Sequence, residues 1–312
     1  MKKIFIEVPT WLGDCAMATP AIENIVKAYP DIEITLMGSF VSSSLFEAHS
    51  NVKKIIVDES RNARSRLFWL YKMAKQLRTF DMALSFRRTS TSKLLLFFIK
   101  ARQKANYTRL STEVHHQVTR YNNFVNKTLK LTSTAGALQL YFDAVAYDKP
   151  TLGINPGASY GSAKRWYPEK FASVAIALSQ DYDIILFGGP GEVDIARDIE
   201  KSLIKAKIHN YENVAGKTTI KTLCQKIGGL DLFITGDSGP MHVAAAFKVP
   251  TVAIFGPTND AETSPWMNPK GVIVKKEMDC APCMKRTCPL GHHECMKFVE
   301  AEDVLTAVKE IT

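Results

Sequence analysis

The sequence predicts an α/β chain made of two doubly wound domains that face a cleft. Three observations predict it. Apolar strand patterns alternate with helical patterns along the whole chain, as βαβ units require. The alternation stops at a polar, small-residue stretch, Thr132-Ser133-Thr134-Ala135-Gly136, and then restarts. The strands after the restart are near-continuous apolar runs, the mark of parallel sheets covered on both faces. These features place an N-terminal domain over residues 1–145 and a C-terminal domain over residues 146–312, with the option that the last helix packs back on the first domain. A length of 312 residues with 46% hydrophobic content supports two cores more readily than one.

Taken in order, Lys3 to Val8 reads as a strand, and Ile22, Ile25, Val26 and Tyr29 then recur at helical spacing. Ile32 to Met37, Val52 to Val57 and Met82 to Phe86 read as further strands, with a helix over Leu67 to Leu77 between them. In the second half Leu152 to Asn155, Ile184 to Phe187, Leu232 to Thr235 and Val252 to Phe255 are strands. Helices are expected over Glu169 to Leu178, Val193 to Ile204 and Val243 to Phe247.

Composition narrows the class. The longest apolar run, Leu94 to Ile99, is far below a membrane span, and Glu7 and Pro9 interrupt the first apolar stretch too early for a signal peptide. Six cysteines with no secretion signal read as thiols or metal ligands, so a cytoplasmic location is expected. The net charge of +9 is unevenly spread. Residues 1–130 hold 21 Lys and Arg against 10 Asp and Glu, while residues 131–312 hold 19 against 21. The first half is built to meet anions, or carries a solvated basic surface. A nucleic-acid-binding protein is the reading from another class, but no recognition motif accompanies the charge, so no nucleic-acid partner is expected.

In doubly wound sheets ligands sit beyond the carboxyl ends of strands, where loops open helices. Three loops fit. They are Val8 to Asp14, then Asn155-Pro156-Gly157 through Lys164-Arg165-Trp166, and then Thr235-Gly236-Asp237-Ser238-Gly239-Pro240-Met241-His242. Small residues let backbone N–H groups approach an anion at a helix N-terminus. Lys164 and His242 could add side-chain donors. Asp14 and Asp237-Ser238 could also be no more than helix caps, and His242 a core histidine. Gly216-Lys217-Thr218 ends like a phosphate-binding P-loop, but its first glycine would stand where Tyr211 is. No GxGxxG follows the first strand, which removes the main support for a dinucleotide oxidoreductase.

Five blocks carry a family resemblance: Gly13-Asp14 with Thr19-Pro20-Ala21; Asn155-Pro156-Gly157 through Trp166; Ala215-Gly216-Lys217-Thr218; Asp237 through Ala245; and Phe255-Gly256-Pro257-Thr258. In this order they resemble glycosyltransferase family 9, the ADP-heptose:lipopolysaccharide heptosyltransferases. Cys280-Ala281-Pro282-Cys283 through Cys295-Met296 is similar to the heptosyltransferase II subfamily. The resemblance implies a GT-B fold of two Rossmann-like domains, the donor ADP-heptose, no required cofactor, and inverting transfer to the heptosyl-Kdo inner core of lipopolysaccharide. It implies Asp14 as the base and Ser159, Lys164, Ser238, Gly239 and His242 as diphosphate contacts, with Glu192 on the ribose. It makes an anionic lipid A-Kdo-heptose acceptor at the inner face of the inner membrane the partner, and Arg88 and Arg120 its contacts. Transfer of the first heptose to Kdo, and a non-transferring GT-B enzyme, are the alternatives. The spacing of Cys280, Cys283, Cys288 and Cys295, with two adjacent histidines, could ligate zinc; a metal-free structural loop is the preferred reading.

Overall fold

Residues 1–312 are described by a computed structural model, and the chain parts into two units, Met1–Tyr141 and Phe142–Thr312. The sequence set that division at 145/146. The first unit runs β1 (Lys3–Glu7), α1 (Leu12–Ala28), β2 (Glu33–Gly38), α2 (Phe40–Ser43), β3 (Val52–Val57), α3 (Arg66–Lys75), β4 (Phe80–Ser85), α4 (Ser90–Phe98), β5 (Ala101–Asn106) and α5 (Gln117–Leu129). Its five strands are parallel in the order β3-β2-β1-β4-β5. Ile4, Phe5 and Ile6 of β1 are fully buried because helices cover both faces of the central strand.

The second unit runs β6 (Thr151–Asn155), α6 (Pro168–Leu178), β7 (Asp183–Leu186), α7 (Val193–Lys205), β8 (Tyr211–Asn213), α8 (Ile220–Gly228), β9 (Leu232–Gly236), α9 (Gly239–Phe247), β10 (Thr251–Ile254), α10 (Asp260–Thr263), β11 (Gly271–Val274), α11 (Glu294–Lys297) and α12 (Ala301–Ile311). Its six parallel strands follow β11-β10-β9-β6-β7-β8. In both units the winding reverses once, between β1 and β4 and between β6 and β9. That reversal splits the loops apart and opens a crevice at the strand ends, which is where ligands of this fold class bind. The closing helix α12 buries Val304, Ala307 and Val308 in the core of its own unit, against α6, β10 and β11.

Two local features hold the first helix where the site needs it. Pro20 lies inside α1 and cannot donate to the carbonyl of Ala16 four residues back. The Thr19 hydroxyl donates to that carbonyl at 2.7 Å, so the stranded acceptor is satisfied inside the core. Thr19 Oγ1 in turn accepts from the Gln139 amide at 3.0 Å, which ties the segment after α5 back onto α1.

Candidate functional site

At the switch point of the second unit, Asn155 ends β6 beside Thr235 of β9. The Asn155 amide nitrogen donates to Gly157 O at 3.3 Å, to Thr235 Oγ1 at 3.3 Å and to Ser238 Oγ at 3.4 Å. One buried side chain therefore joins the loop after β6 to the loop after β9. Ser238 is the N-cap residue of α9 but its side chain caps nothing, and Gly239 and Pro240 follow it as the first helical residues. The amides of this turn keep the partial positive charge of a helix start without an internal acceptor from the cap. The sequence began this helix at Val243; its start at Gly239 puts the predicted Ser238 and Gly239 at the helix mouth. His242 is buried in the first turn.

Lys164 reaches the same mouth. Its Nζ lies 2.5 Å from Asp237 Oδ2, both side chains are nearly buried, and Thr258 Oγ1 donates to that same carboxylate oxygen at 2.6 Å. The ammonium also stands over the Tyr160 ring at 4.7 Å. The neighbouring Trp166 fixes the loop, donating from Nε1 to Val299 O at 2.9 Å and packing edge-on against Phe171. Ser159 is exposed on this loop.

Glu192 is buried, and its Oε2 accepts from the Gly189 amide at 2.7 Å. Its carboxyl carbon occupies space that a Cβ on Gly157 would need, at 2.1 Å. Gly157 leaves the space that this carboxylate fills, so two separate sequence blocks meet here. The predicted donor set of Ser159, Lys164, Glu192, Ser238, Gly239 and His242 thus lies on loops and helix starts at one end of one sheet. The sequence quoted Asn155 and Thr258 within its motifs without assigning them a role and read Asp237 as at most a helix cap; the structure makes all three the struts of the site.

In the first unit Asp14 is the third residue of α1 and not its cap; the N-cap is Trp11. A first-turn carboxylate is favoured by the helix dipole. It stands near Cys15 and Tyr121, whose thiol and phenol are pushed up by burial first and by the Asp14 charge second. Beside it is a cluster no sequence pattern announced. Arg87, just past β4, donates from Nε to Val8 O at 2.8 Å, and its Nη1 lies 3.3 Å from Glu7 and 3.2 Å from Asp58. Ser85 Oγ donates to Glu7 at 2.5 Å. Burial raises the Glu7 carboxyl although Arg87 and Ser85 pull it down. At Asp58 burial also acts upward, but Ser60 and Arg87 outweigh it and hold the carboxyl below the usual range. Of the acceptor candidates, Arg88 is exposed after β4, and Arg120 is half-buried on α5 with Nη2 donating to Glu113 O at 3.4 Å.

Cys280, Cys283, Cys288 and Cys295 are free thiols around one small pocket that His292 and His293 also line. Backbone N–H groups, that of His293 foremost, hold the Cys288 thiol below its ordinary range; burial, then the other three cysteines, raise Cys295. No three Cys, His, Asp or Glu side chains in the structure are arranged as a metal-ligand set. Both ring nitrogens of His293 have other partners, Ala163 O at 2.9 Å and Tyr167 OH at 3.1 Å. The loop lies over the Lys164 loop: Ala163 N donates to Arg286 O, Tyr160 OH donates to Met284 O, and a Cβ on Gly161 would meet Arg286 O at 2.2 Å. It acts as a buttress for the loop that carries Lys164.

A family profile described as glycosyltransferase family 9 (heptosyltransferase) matches residues 24–294. The chain belongs to glycosyltransferase family 9. It is therefore a glycosyltransferase, and its relatives within the family are specific. Lipooligosaccharide heptosyltransferase 2 of Campylobacter jejuni subsp. jejuni serotype O:2 is 42% identical over 99% of this chain and 98% of its own. Lipooligosaccharide heptosyltransferase 2 of Haemophilus influenzae is 25% identical over 99% of both. Among solved structures, ADP-heptose lps heptosyltransferase II of Escherichia coli superposes with a TM-score of 0.82 at 23% identity, covering 100% of this chain and 98% of that one. The fold shared across family 9 is GT-B, and the two doubly wound units described above are its two halves.

Proposed function

We propose that this family 9 enzyme transfers L-glycero-D-manno-heptose from ADP-heptose to the heptosyl-Kdo inner core of lipopolysaccharide or lipooligosaccharide, as a heptosyltransferase II. The full-length likeness to lipooligosaccharide heptosyltransferase 2 supports the sugar and the acceptor. The observation that carries the donor side is the open N-terminus of α9, with Lys164 held at its mouth by Asp237, whose carboxylate Thr258 braces. A diphosphate placed there meets amide donors and one fixed ammonium.

In the reaction, Asp14 takes the proton of the acceptor hydroxyl as its oxygen attacks the anomeric carbon. The bond from that carbon to the β-phosphate oxygen breaks, ADP leaves with the electron pair, and configuration inverts. Charge gathers on the leaving phosphate, where donors fixed in advance stabilise it most. Ser159, Ser238, Gly239 and His242 join Lys164 in that role and Glu192 takes the ribose. No cofactor is required, so most turnover should survive EDTA, and the four-cysteine loop works as a metal-free buttress. Arg88 and Arg120 meet the carboxylates and phosphates of the acceptor. The enzyme works in the cytoplasm, peripheral to the inner membrane, with no nucleic-acid partner.

The test is a donor screen that follows ADP release with and without a truncated inner-core acceptor. ADP-heptose should be consumed only when a heptosyl-Kdo acceptor is present. Turnover without acceptor would make the chain a non-transferring enzyme, and equal use of a Kdo-only acceptor would make it a first-heptose transferase.

A further inference from the structure

The outer face of α3 and α4 departs from what water favours. Their inner faces are committed to the core: Leu70 and Ala74 from α3 pack with Leu95 and Leu96 from α4 against Phe5, Phe80 and Ala83. A surface helix normally turns polar residues outward. Here Leu67 is 52% exposed, Phe68 64%, Tyr71 41% and Phe97 74%. The rings form a strip across both helices, with Tyr71 5.5 Å from Phe98 and Phe98 5.6 Å from Phe97. Isolated apolar residues on a surface are ordinary, but a connected strip marks an interaction site.

The segment that carries the strip is strongly basic. From Ser60 to Thr112 the chain has 13 Lys and Arg and a single acidic residue, Asp81. Asp81 is already engaged, accepting from the Lys2 and Lys3 amides and lying 3.8 Å from Arg102. Lys72, Lys75 and Lys93 are exposed on the two helices themselves. Lys75 Nζ stands 5.1 Å from the Tyr71 ring centroid, and Lys104 Nζ donates to Phe97 O at 3.1 Å. The basic excess of residues 1–130 thus falls in the segment that carries both helices, and Lys72, Lys75, Lys93 and Lys104 bring part of it to the aromatic strip.

We propose that the α3–α4 face is the surface by which this enzyme docks on an anionic phospholipid bilayer, with Phe68 and Phe97 entering the headgroup boundary and the surrounding lysines and arginines meeting lipid phosphates. The inference rests on the reading of the acceptor as membrane-anchored and adds the surface that reaches it. No helix is long and apolar enough to cross a membrane, so the attachment is lateral. Aromatic side chains ringed by basic ones match such a surface in both its apolar and its charged layer. A second copy of the chain fits poorly, because a two-fold contact would press this basic face against itself. A nucleic acid would use the charge but leave Leu67 and Phe68 in water.

The test uses the full chain, floated with phosphatidylcholine vesicles and with vesicles containing phosphatidylglycerol. Phe68→Ser with Phe97→Ser, and separately Lys72→Glu with Lys75→Glu, are assayed on a water-soluble truncated acceptor and on an acceptor embedded in the anionic vesicles. Wild type should float with the anionic vesicles only. Each double variant should lose about tenfold or more in partitioning, since a basic residue near such a surface contributes about 1 kcal/mol. Turnover of vesicle-embedded acceptor should fall with it while turnover of the soluble acceptor stays at the wild-type rate. Wild type that ignores anionic vesicles, or variants that float as well as wild type, would overturn the proposal. So would self-association abolished by the Phe variants, or binding of a nucleic acid in place of vesicles. Absence of heptosyl transfer to the soluble acceptor in wild type would instead sink the reading of the reaction, and vesicle flotation would still decide the docking face.

Discussion

The two switch points share a topology and differ in chemistry. Between β1 and β4 the strand ends are held by formal charge: Arg87 bridges Glu7 and Asp58 beneath the loop that leads to Asp14. Between β6 and β9 they are held mostly by neutral groups, Asn155, Thr235 and Ser238, with one ion pair, Lys164–Asp237, placed at a helix mouth. The comparison teaches that winding order sets where a site forms and the loops set what it does. A neutral frame leaves a helix start free to meet a polyanion. A charged frame fixes backbone beside a single carboxylate.

The largest break in that comparison is Asp14→Asn. It should keep the fold and ADP affinity and lower turnover by about 10²-fold or more, the scale for loss of a general base. Thermal unfolding, ADP titration by calorimetry and steady-state rates together decide it. Unchanged turnover in a folded variant would reduce Asp14 to a dipole-favoured residue of α1.

Lys164→Met strikes the other switch point. It removes a cation from the phosphate site and strands the Asp237 carboxylate, which is 5% exposed. Breaking a close ion pair in such a setting costs on the order of 2–5 kcal/mol, including the stranded partner. ADP affinity should fall before any change in acceptor KM, measured by calorimetry beside acceptor-dependent kinetics. ADP binding at wild-type strength would show that Lys164 only braces Asp237.

How much of this was legible in the sequence follows from what each residue packs against. Central strands were readable because burial on both faces writes an apolar run, as in Leu232 to Thr235. The edge strands β5, with Ala101-Arg102-Gln103-Lys104, and β8, with Tyr211-Glu212-Asn213, were missed, since an edge exposed to water carries polar residues. Short motifs placed the loops that carry Ser159, Lys164 and Ser238, because tight turns at helix starts need small residues locally. The Glu7–Arg87–Asp58 cluster was invisible, as it joins residues up to 80 positions apart through the sheet. Local pattern carries no record of such pairings.

A smaller effect separates the two units by ligand. Arg88→Glu or Arg120→Glu should raise the acceptor KM by about tenfold and leave ADP affinity constant, whereas a merely solvated charge contributes roughly 0–1 kcal/mol. The same titration and kinetics read both quantities. Wild-type behaviour in both assays would return these arginines to the general basic surface. Weakened ADP binding with unchanged acceptor dependence would reverse the division of labour between the two halves.

The smallest effect probes the charged frame alone, through pH. Asp58 holds its proton less tightly in the folded chain than in the unfolded one, because Ser60 and Arg87 outweigh the upward effect of burial. Its contribution to stability is therefore complete above the ordinary aspartate value and is lost as pH falls through the folded value. Glu7 has the opposite sign: burial raises its carboxyl, so its contribution is complete below the ordinary glutamate value and is lost as pH rises through the folded one. A single pH–stability curve mixes the two. Asp58→Asn separates them, since it removes one titration and leaves the other. At neutral pH the variant should melt about 2–4 °C below wild type, the shift expected per kcal/mol for a domain of roughly 150–250 residues. The gap should narrow as pH drops below the ordinary aspartate range, because protonated Asp58 no longer attracts Arg87. Melting curves from neutral pH down to the acid limit of folding measure it. A gap that stays constant across that range would show that Asp58 contributes packing and not charge, and the contrast between a charged and a neutral frame would then rest on Glu7 and Arg87 alone.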